Sequence, residues 1–159
     1  MKKFLFILGI LLLSVKVQAQ VVTGPTTALF AQPATDIPLT LSYQLDFFQC
    51  ASISAPTATP PNACVGQAAT PFQSGAVIPV ASVTTQTPDA NGDNRTFPLT
   101  TAPASGLLGA IPVGIPFVAT LIVNGNPAQG EGNSARSAAS NPFFSATKPA
   151  GAVTTVKVQ

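Results

Sequence analysis

Proline and glycine interrupt this chain so regularly that no segment beyond residue 19 keeps a helical repeat of apolar residues for three turns. All 16 prolines lie beyond that point, with every glycine except Gly9. Inside a helix, proline removes a backbone donor and clashes with the preceding turn, and glycine costs about 1 kcal/mol relative to alanine. Long helices are thereby excluded. Such a composition would suit disorder if apolar residues were scarce. Here 46% of the residues are hydrophobic, and they fall in strand-length clusters. The chain therefore reads as a folded protein of short extended segments joined by long loops.

The clearest extended segment is Leu39–Cys50. Leu39, Leu41, Tyr43, Leu45 and Phe47 alternate with Thr40, Ser42, Gln44 and Asp46, a period of two that sends the first set to a core and the second to water. Pro38 stands at its entrance, where a missing N–H does least harm. Further strands are predicted at Val21–Val22 with Ala28–Ala31, Cys64–Thr70, Ala76–Thr85, Arg95–Thr100, Phe117–Val123, Phe143–Thr147 and Val153–Val158. Turn chemistry separates them at Pro60-Pro61-Asn62, Asn91-Gly92, Asn124-Gly125 and Pro149-Ala150-Gly151. Pro79 and Pro98 push their two segments toward edges or bulges. Residues 51–63 and 102–116 read as loops. About seven to nine short strands in residues 20–159 predict one all-β domain, an antiparallel β-sandwich.

The first 19 residues have the three parts of a cleavable signal peptide: Lys2 and Lys3, an apolar run from Phe4 to Val15, and Val17-Gln18-Ala19 at the cleavage site. Lys16 ends the apolar run well short of the roughly 20 residues that cross a bilayer. A secreted, periplasmic or cell-surface location follows, with no membrane span after cleavage. Beyond the signal, Arg95, Arg136, Lys148 and Lys157 face Asp36, Asp46, Asp89, Asp93 and Glu131, a net charge of −1. Four scattered cations give no surface for neutralising phosphates, so nucleic acid is set aside as a partner. Cys50 and Cys64 form an even pair in an exported chain, which predicts a disulfide closing the 51–63 loop.

The C-terminal third carries a family likeness. Pro116-Phe-Val-Ala-Thr-Leu-Ile-Val-Asn124, then Gly130-Glu-Gly-Asn-Ser134 and Ser140-Asn-Pro-Phe-Phe-Ser-Ala-Thr-Lys-Pro149, resembles the last two strands of fibronectin type III domains. Phe117 stands where that family usually has tyrosine, and the chain has no tryptophan. The resemblance implies a fibronectin-III/Ig-like sandwich used for binding or as a spacer.

Catalytic chemistry is sparse. Without any histidine, the commonest general base and the Ser-His and Cys-His pairs are missing, and the five carboxylates show no obvious pairing. No cofactor is implied. Asp89, Asn91 and Asp93 place oxygen atoms at alternate positions as a calcium loop does. However, Asn94 and Thr100 replace the glycine and glutamate of that pattern, and Asn91-Gly92 also suits a hairpin turn. Asn94-Arg95-Thr96 is a glycosylation sequon, meaningful only in a host with that machinery. Phe47-Phe48 and Phe143-Phe144 put neighbouring rings on opposite faces, so one of each pair falls outside the main core. Phe48, Phe143 and Phe144 are thus candidate partner contacts, unless a loop or the N-terminal strand covers them. Val153, Val156 and Val158 form a terminal strand that closes this domain's sheet or is donated to a neighbour's open edge.

The expectation is an exported, non-enzymatic interaction or structural module whose partner is a protein, either itself or a surface partner. It would act through strand edges and the loops 51–63, 86–94 and 124–136. A soluble ligand- or glycan-binding protein is the alternative, and a small secreted hydrolase a third.

Overall fold

The computed structural model describes residues 20–145. The predicted signal peptide and the terminal Val153, Val156 and Val158 lie outside the described residues. The chain is mostly β: β1 (Val22–Thr23), β2 (Thr27–Phe30), β3 (Thr40–Ile53), β4 (Cys64–Gln67), β5 (Gln73–Pro79), β6 (Thr84–Thr85), β7 (Arg95–Pro98), a helix α1 (Ala104–Ala110), β8 (Pro116–Gly125) and β9 (Phe143–Phe144). They form two sheets. The larger runs β1-β9-β8-β3-β4 with β5 also paired to β3, and the smaller runs β2-β7-β6. Every pair is antiparallel except β1 with β9, which run parallel, so the antiparallel expectation needs that one correction.

β3 organises the larger sheet. It pairs with β8 along Thr40–Gln49, with β5 along Ser42–Phe47 and with β4 along Cys50–Ile53. Its inner side chains Tyr43, Leu45 and Phe47 join Ala76 and Ile78 of β5, Phe117 of β8, and Phe97 and Leu99 from the smaller sheet's side in one core. Fully burying side chains of this size contributes about 1.5–3 kcal/mol each. Phe47 meets Phe143 edge to face at 5.3 Å, and Phe30 meets Tyr43 at 5.2 Å.

Leu41, expected inside, is 58% exposed. The β3/β8 ladder skips a register step between Thr40 and Ser42, and a residue at such a bulge leaves the strict alternation.

The opposite face departs further from the alternation. Asp46, expected in water, is fully buried, and Phe48, Cys50, Val118 and Thr120 are buried on that face too. A second bulge makes the buried carboxylate tolerable. Leu45 pairs with Ala76 but Phe47 with Gln73, so Ser74 and Gly75 oppose the single residue Asp46. Gly75 adopts φ +85°, open to glycine, and its N–H donates to Asp46 Oδ1 at 3.1 Å. Gln44 Nε2 donates to both carboxylate oxygens, and Arg136 forms an ion pair with Oδ2. The same Arg136 donates to Thr120 Oγ1 at 2.7 Å and lies 4.9 Å above the Phe48 ring.

Arg136 reaches that face from a strap, residues 133–141, that lies along the outer edge of β8. Three serines spaced three apart hold it. The N–H groups of Ser134, Ser137 and Ser140 donate to the carbonyls of Val123, Leu121 and Ala119, each at 2.8 Å. The N–H groups of those same three β8 residues donate back to the serine Oγ atoms at 2.9–3.0 Å. Each serine thus supplies from its own N–H and hydroxyl the donor and acceptor that a paired strand residue would supply from its backbone. The strap advances three residues while β8 advances two, about 6.7 Å. Asn124-Gly125, expected as a turn between strands, instead ends β8. A Cβ at Gly125 would fall 2.3 Å from the Gly132 carbonyl oxygen, so the returning strap requires glycine there.

The disulfide Cys50–Cys64 is formed and ties the 51–63 loop across the β3/β4 hairpin. Closing a loop of this length stabilises by about 3 kcal/mol in the chain-entropy view. Residues 102–116, expected as loop, contain α1. Ala104, Leu107 and Ile111, spaced three and four apart, are buried in the core, so tertiary burial drives a two-turn helix despite Gly106 and Gly109.

Two predictions follow from the strap. Arg136→Ala leaves the Asp46 carboxylate without its cation, and chemical denaturation should show a loss of about 2–4 kcal/mol. Ser137→Ala removes one acceptor for Leu121 N–H and should cost about 1 kcal/mol, with faster exchange of that amide measured by NMR.

Candidate functional site

Tyr43 and Phe97 lie together in the core between the sheets, and on the β2 side the described residues border an open cleft of about 850 Å³. That volume falls in the range of roughly 300–1,000 Å³ typical of ligand sites. One wall is β2, with Ala28 and Phe30. The other is the inner face of the larger sheet, with Leu45, Phe47, Ala119 and Leu121. The rim carries Ser137 and Ser140 of the strap and the Asp89-Asn91-Asp93 turn.

β2 pairs with β7 alone among the described strands. On that side the Thr26 and Phe30 carbonyls accept from Leu99 and Asn94 N–H groups at 2.8 and 3.1 Å. Strand alternation then turns the N–H and C=O of Thr27 and Leu29 away from β7, along the mouth of the cleft. Leu29 is half exposed there.

A buried polar network sits behind β2. Tyr43 OH donates to Gln32 Oε1 at 2.7 Å, and Gln32 Nε2 donates to Thr40 Oγ1 at 2.8 Å. Gln32 and Asn94 exchange reciprocal bonds between side-chain amide and backbone at 2.8 and 2.9 Å. Arg95, 3% exposed, donates to Tyr43 OH and Thr85 Oγ1, and its Nε has no partner among the described residues. Nothing in the sequence marked this group, because Gln32 and Arg95 meet through pairing of distant strands. The bond from Asn94 Nδ2 to the Gln32 carbonyl occupies the nitrogen that the sequon would glycosylate.

Asp89 Oδ1 accepts from Asn91 N–H at 2.8 Å and Asp93 N–H at 3.0 Å, and Asp89 N–H donates to the Asp93 carbonyl at 3.1 Å. The loop is thus a hydrogen-bonded turn around Gly92, whose φ is +85°. One carboxylate oxygen that could face a cation already holds two backbone donors. No cluster of three His, Cys, Asp or Glu side chains with metal-binding geometry occurs among the described residues. The Asp93 carboxyl is pushed above its ordinary 3.8, first by burial and then by the neighbouring Asp89 charge.

The candidate aromatic contacts separate. Phe143 lies in the main core, Phe48 lies in a second cluster with Cys50 and Val118, and Phe144 is half-buried. Phe143 is held by pairing with both β1 and β8, and Phe48 by Arg136 above its ring. Among the described residues, the exposed large apolar side chains are instead Leu29, Leu41, Val65, Phe72, Val77 and Val113. Sequence reading passed over most of these because each lies within or beside an apolar cluster.

No family model matches this chain, and neither does any curated protein or solved structure compared with it. Its likeness to other proteins therefore stays at the level of architecture, a mostly β chain with two sheets and one disulfide.

Asp93 yields a pH prediction. Its folded-state pKa lies above the unfolded value, so the folded state binds more protons between the two, and stability falls as pH rises through that window. Asp93→Asn should therefore stabilise the protein at pH 7, by no more than about 0.5 kcal/mol for so screened a group. Thermal unfolding should show the gain vanishing below the ordinary value of 3.8, where both states are protonated.

Proposed function

We propose that this chain is an exported, non-enzymatic interaction module, a β-sandwich of fibronectin-III/Ig type that follows a signal peptide at residues 1–19. The single observation that carries the reading is the cleft, a gap with apolar walls and a polar rim, bordered by an edge of β2 that pairs with no other described strand. Unpaired edges are templates for another chain, and the aliphatic and aromatic cleft walls offer contact area without reactive groups. The serine hydroxyls on the rim are engaged with β8 backbone donors, and the chain has no histidine to activate them. A disulfide, and the lack of any helix among the described residues long and apolar enough to cross a membrane, are compatible with a periplasmic or extracellular location. The partner is a protein.

A ligand- or glycan-binding role is the second reading, favoured by a cleft volume within the small-molecule range. Glycan recognition would work there without tryptophan, on Phe30 and polar rim groups.

Expression of the full chain in a bacterial host tests the export and contact readings together. The expected product is found outside the cytoplasm, begins at Gln20 and carries the oxidised Cys50–Cys64 pair, seen by intact mass before and after reduction. It should bind no member of a glycan array. A cytoplasmic, unprocessed product would overturn export, and array binding lost on Phe30→Ala would move the cleft to the second reading.

A further inference from the structure

Arginine is rarely buried without an opposite charge, because taking a guanidinium out of water costs far more than neutral hydrogen bonds return. Arg95 is 3% exposed. The five side-chain carboxylates of the chain, Asp36, Asp46, Asp89, Asp93 and Glu131, all lie among the described residues. Only Asp46 lies within ion-pair distance of an arginine, and that arginine is Arg136. Residues 1–19 and 146–159 contain no aspartate or glutamate, so no acidic side chain of this chain neutralises Arg95.

The groups that Arg95 does touch are neutral. Nη1 donates to Thr85 Oγ1, and Nη2 donates to Tyr43 OH at 3.5 Å, the long limit of a hydrogen bond. Tyr43 keeps its own proton, which it gives to Gln32 Oε1 at 2.7 Å. Nε is buried with no partner among the described residues. Nε and Nη2 share one edge of the guanidinium, the edge that grips both oxygens of a carboxylate at once. That edge is the unsatisfied one. Thr85 is exposed, which sets the buried charge one side chain below the surface.

We propose that Arg95 binds the carboxylate group of a ligand taken from solution, whose two oxygens accept from Nε–H and Nη2–H, with Thr85 at the entrance. The long bond to Tyr43 gives way to the nearer carboxylate oxygen, and the Tyr43 hydroxyl stays with Gln32. A single positive charge selects a monoanion. Among the described residues the other cation is Arg136, held by Asp46 on the opposite face of the larger sheet, so a doubly charged phosphate finds no second partner. This site is separate from the cleft, and the interaction reading does not depend on it.

The test uses the purified protein in a zwitterionic buffer, with ionic strength held constant by a bulky sulfonate. Sodium formate is the probe and chloride the comparison. Formate should raise the thermal midpoint along a one-site saturation curve, by about 5 °C at ten times its Kd. It should shift the Arg95 Nε–H resonance over the same concentrations. Chloride offers one centre in place of two oxygens and should bind roughly fivefold more weakly. Arg95→Lys keeps the charge but loses the two-donor edge, so formate affinity should fall about tenfold. Should that variant not fold, Thr85→Val at its exposed position removes the oxygen that fixes the guanidinium. It should weaken formate about threefold, and Thr85→Ser should restore the parent affinity. A midpoint and an Nε–H resonance that both ignore formate would overturn the proposal. So would equal affinity for chloride, or an Arg95→Lys protein that responds as the parent does. Each of these failures leaves the interaction reading intact, since that reading rests on the cleft.

Discussion

Strand β3 is buried on both faces from Asp46 to Phe48, and the rest of the molecule answers the demands this creates. On the inner face the demand is volume, met by Tyr43, Leu45 and Phe47 packing against β5, β8 and the smaller sheet. On the outer face it is charge. A fully buried Asp46 carboxylate needs several donors at once, because an unpaired buried charge costs far more than a hydrogen bond returns. The bulge at Ser74-Gly75, the Gln44 amide and the Arg136 guanidinium supply them from three places in the sequence.

The same requirement explains the strap. Arg136 can reach Asp46 only if the chain returns across the β8 edge after the turn at residues 126–130, and the three serines fix that return. Edge protection and charge neutralisation are thus one device. It covers one border of the larger sheet, while β2 borders the cleft and pairs with β7 alone among the described strands. The cleft follows from that asymmetry: the smaller sheet has three short strands and cannot cover the inner face of a ten-residue β8.

Much of this was legible in advance, and the misses share a cause. Alternation placed β3 and named Tyr43, Leu45 and Phe47 as core, and the even cysteine count gave the disulfide. The same alternation put Leu41 inside and Asp46 outside, and both were reversed by bulges, which are register events between strands that one strand's pattern cannot contain. The serine spacing Ser134, Ser137, Ser140 was visible but gave no element, since it follows neither the helical nor the strand period. The cleft had no sequence signal, because its walls come from β2, β3 and β8.

By itself the sequence determined what is local: the exclusion of long helices by proline and glycine, most of the described strand segments, the turn at Asn91-Gly92, the paired cysteines and the poverty of acid–base groups. Those depend on backbone geometry and side-chain chemistry within a few residues. Only the tertiary structure decided which edges are closed, that Asp46 and Arg136 meet, and that β2 borders an open cleft. Pairing partners and edge exposure depend on which strands arrive at the same place, a property of the whole fold that no local pattern carries.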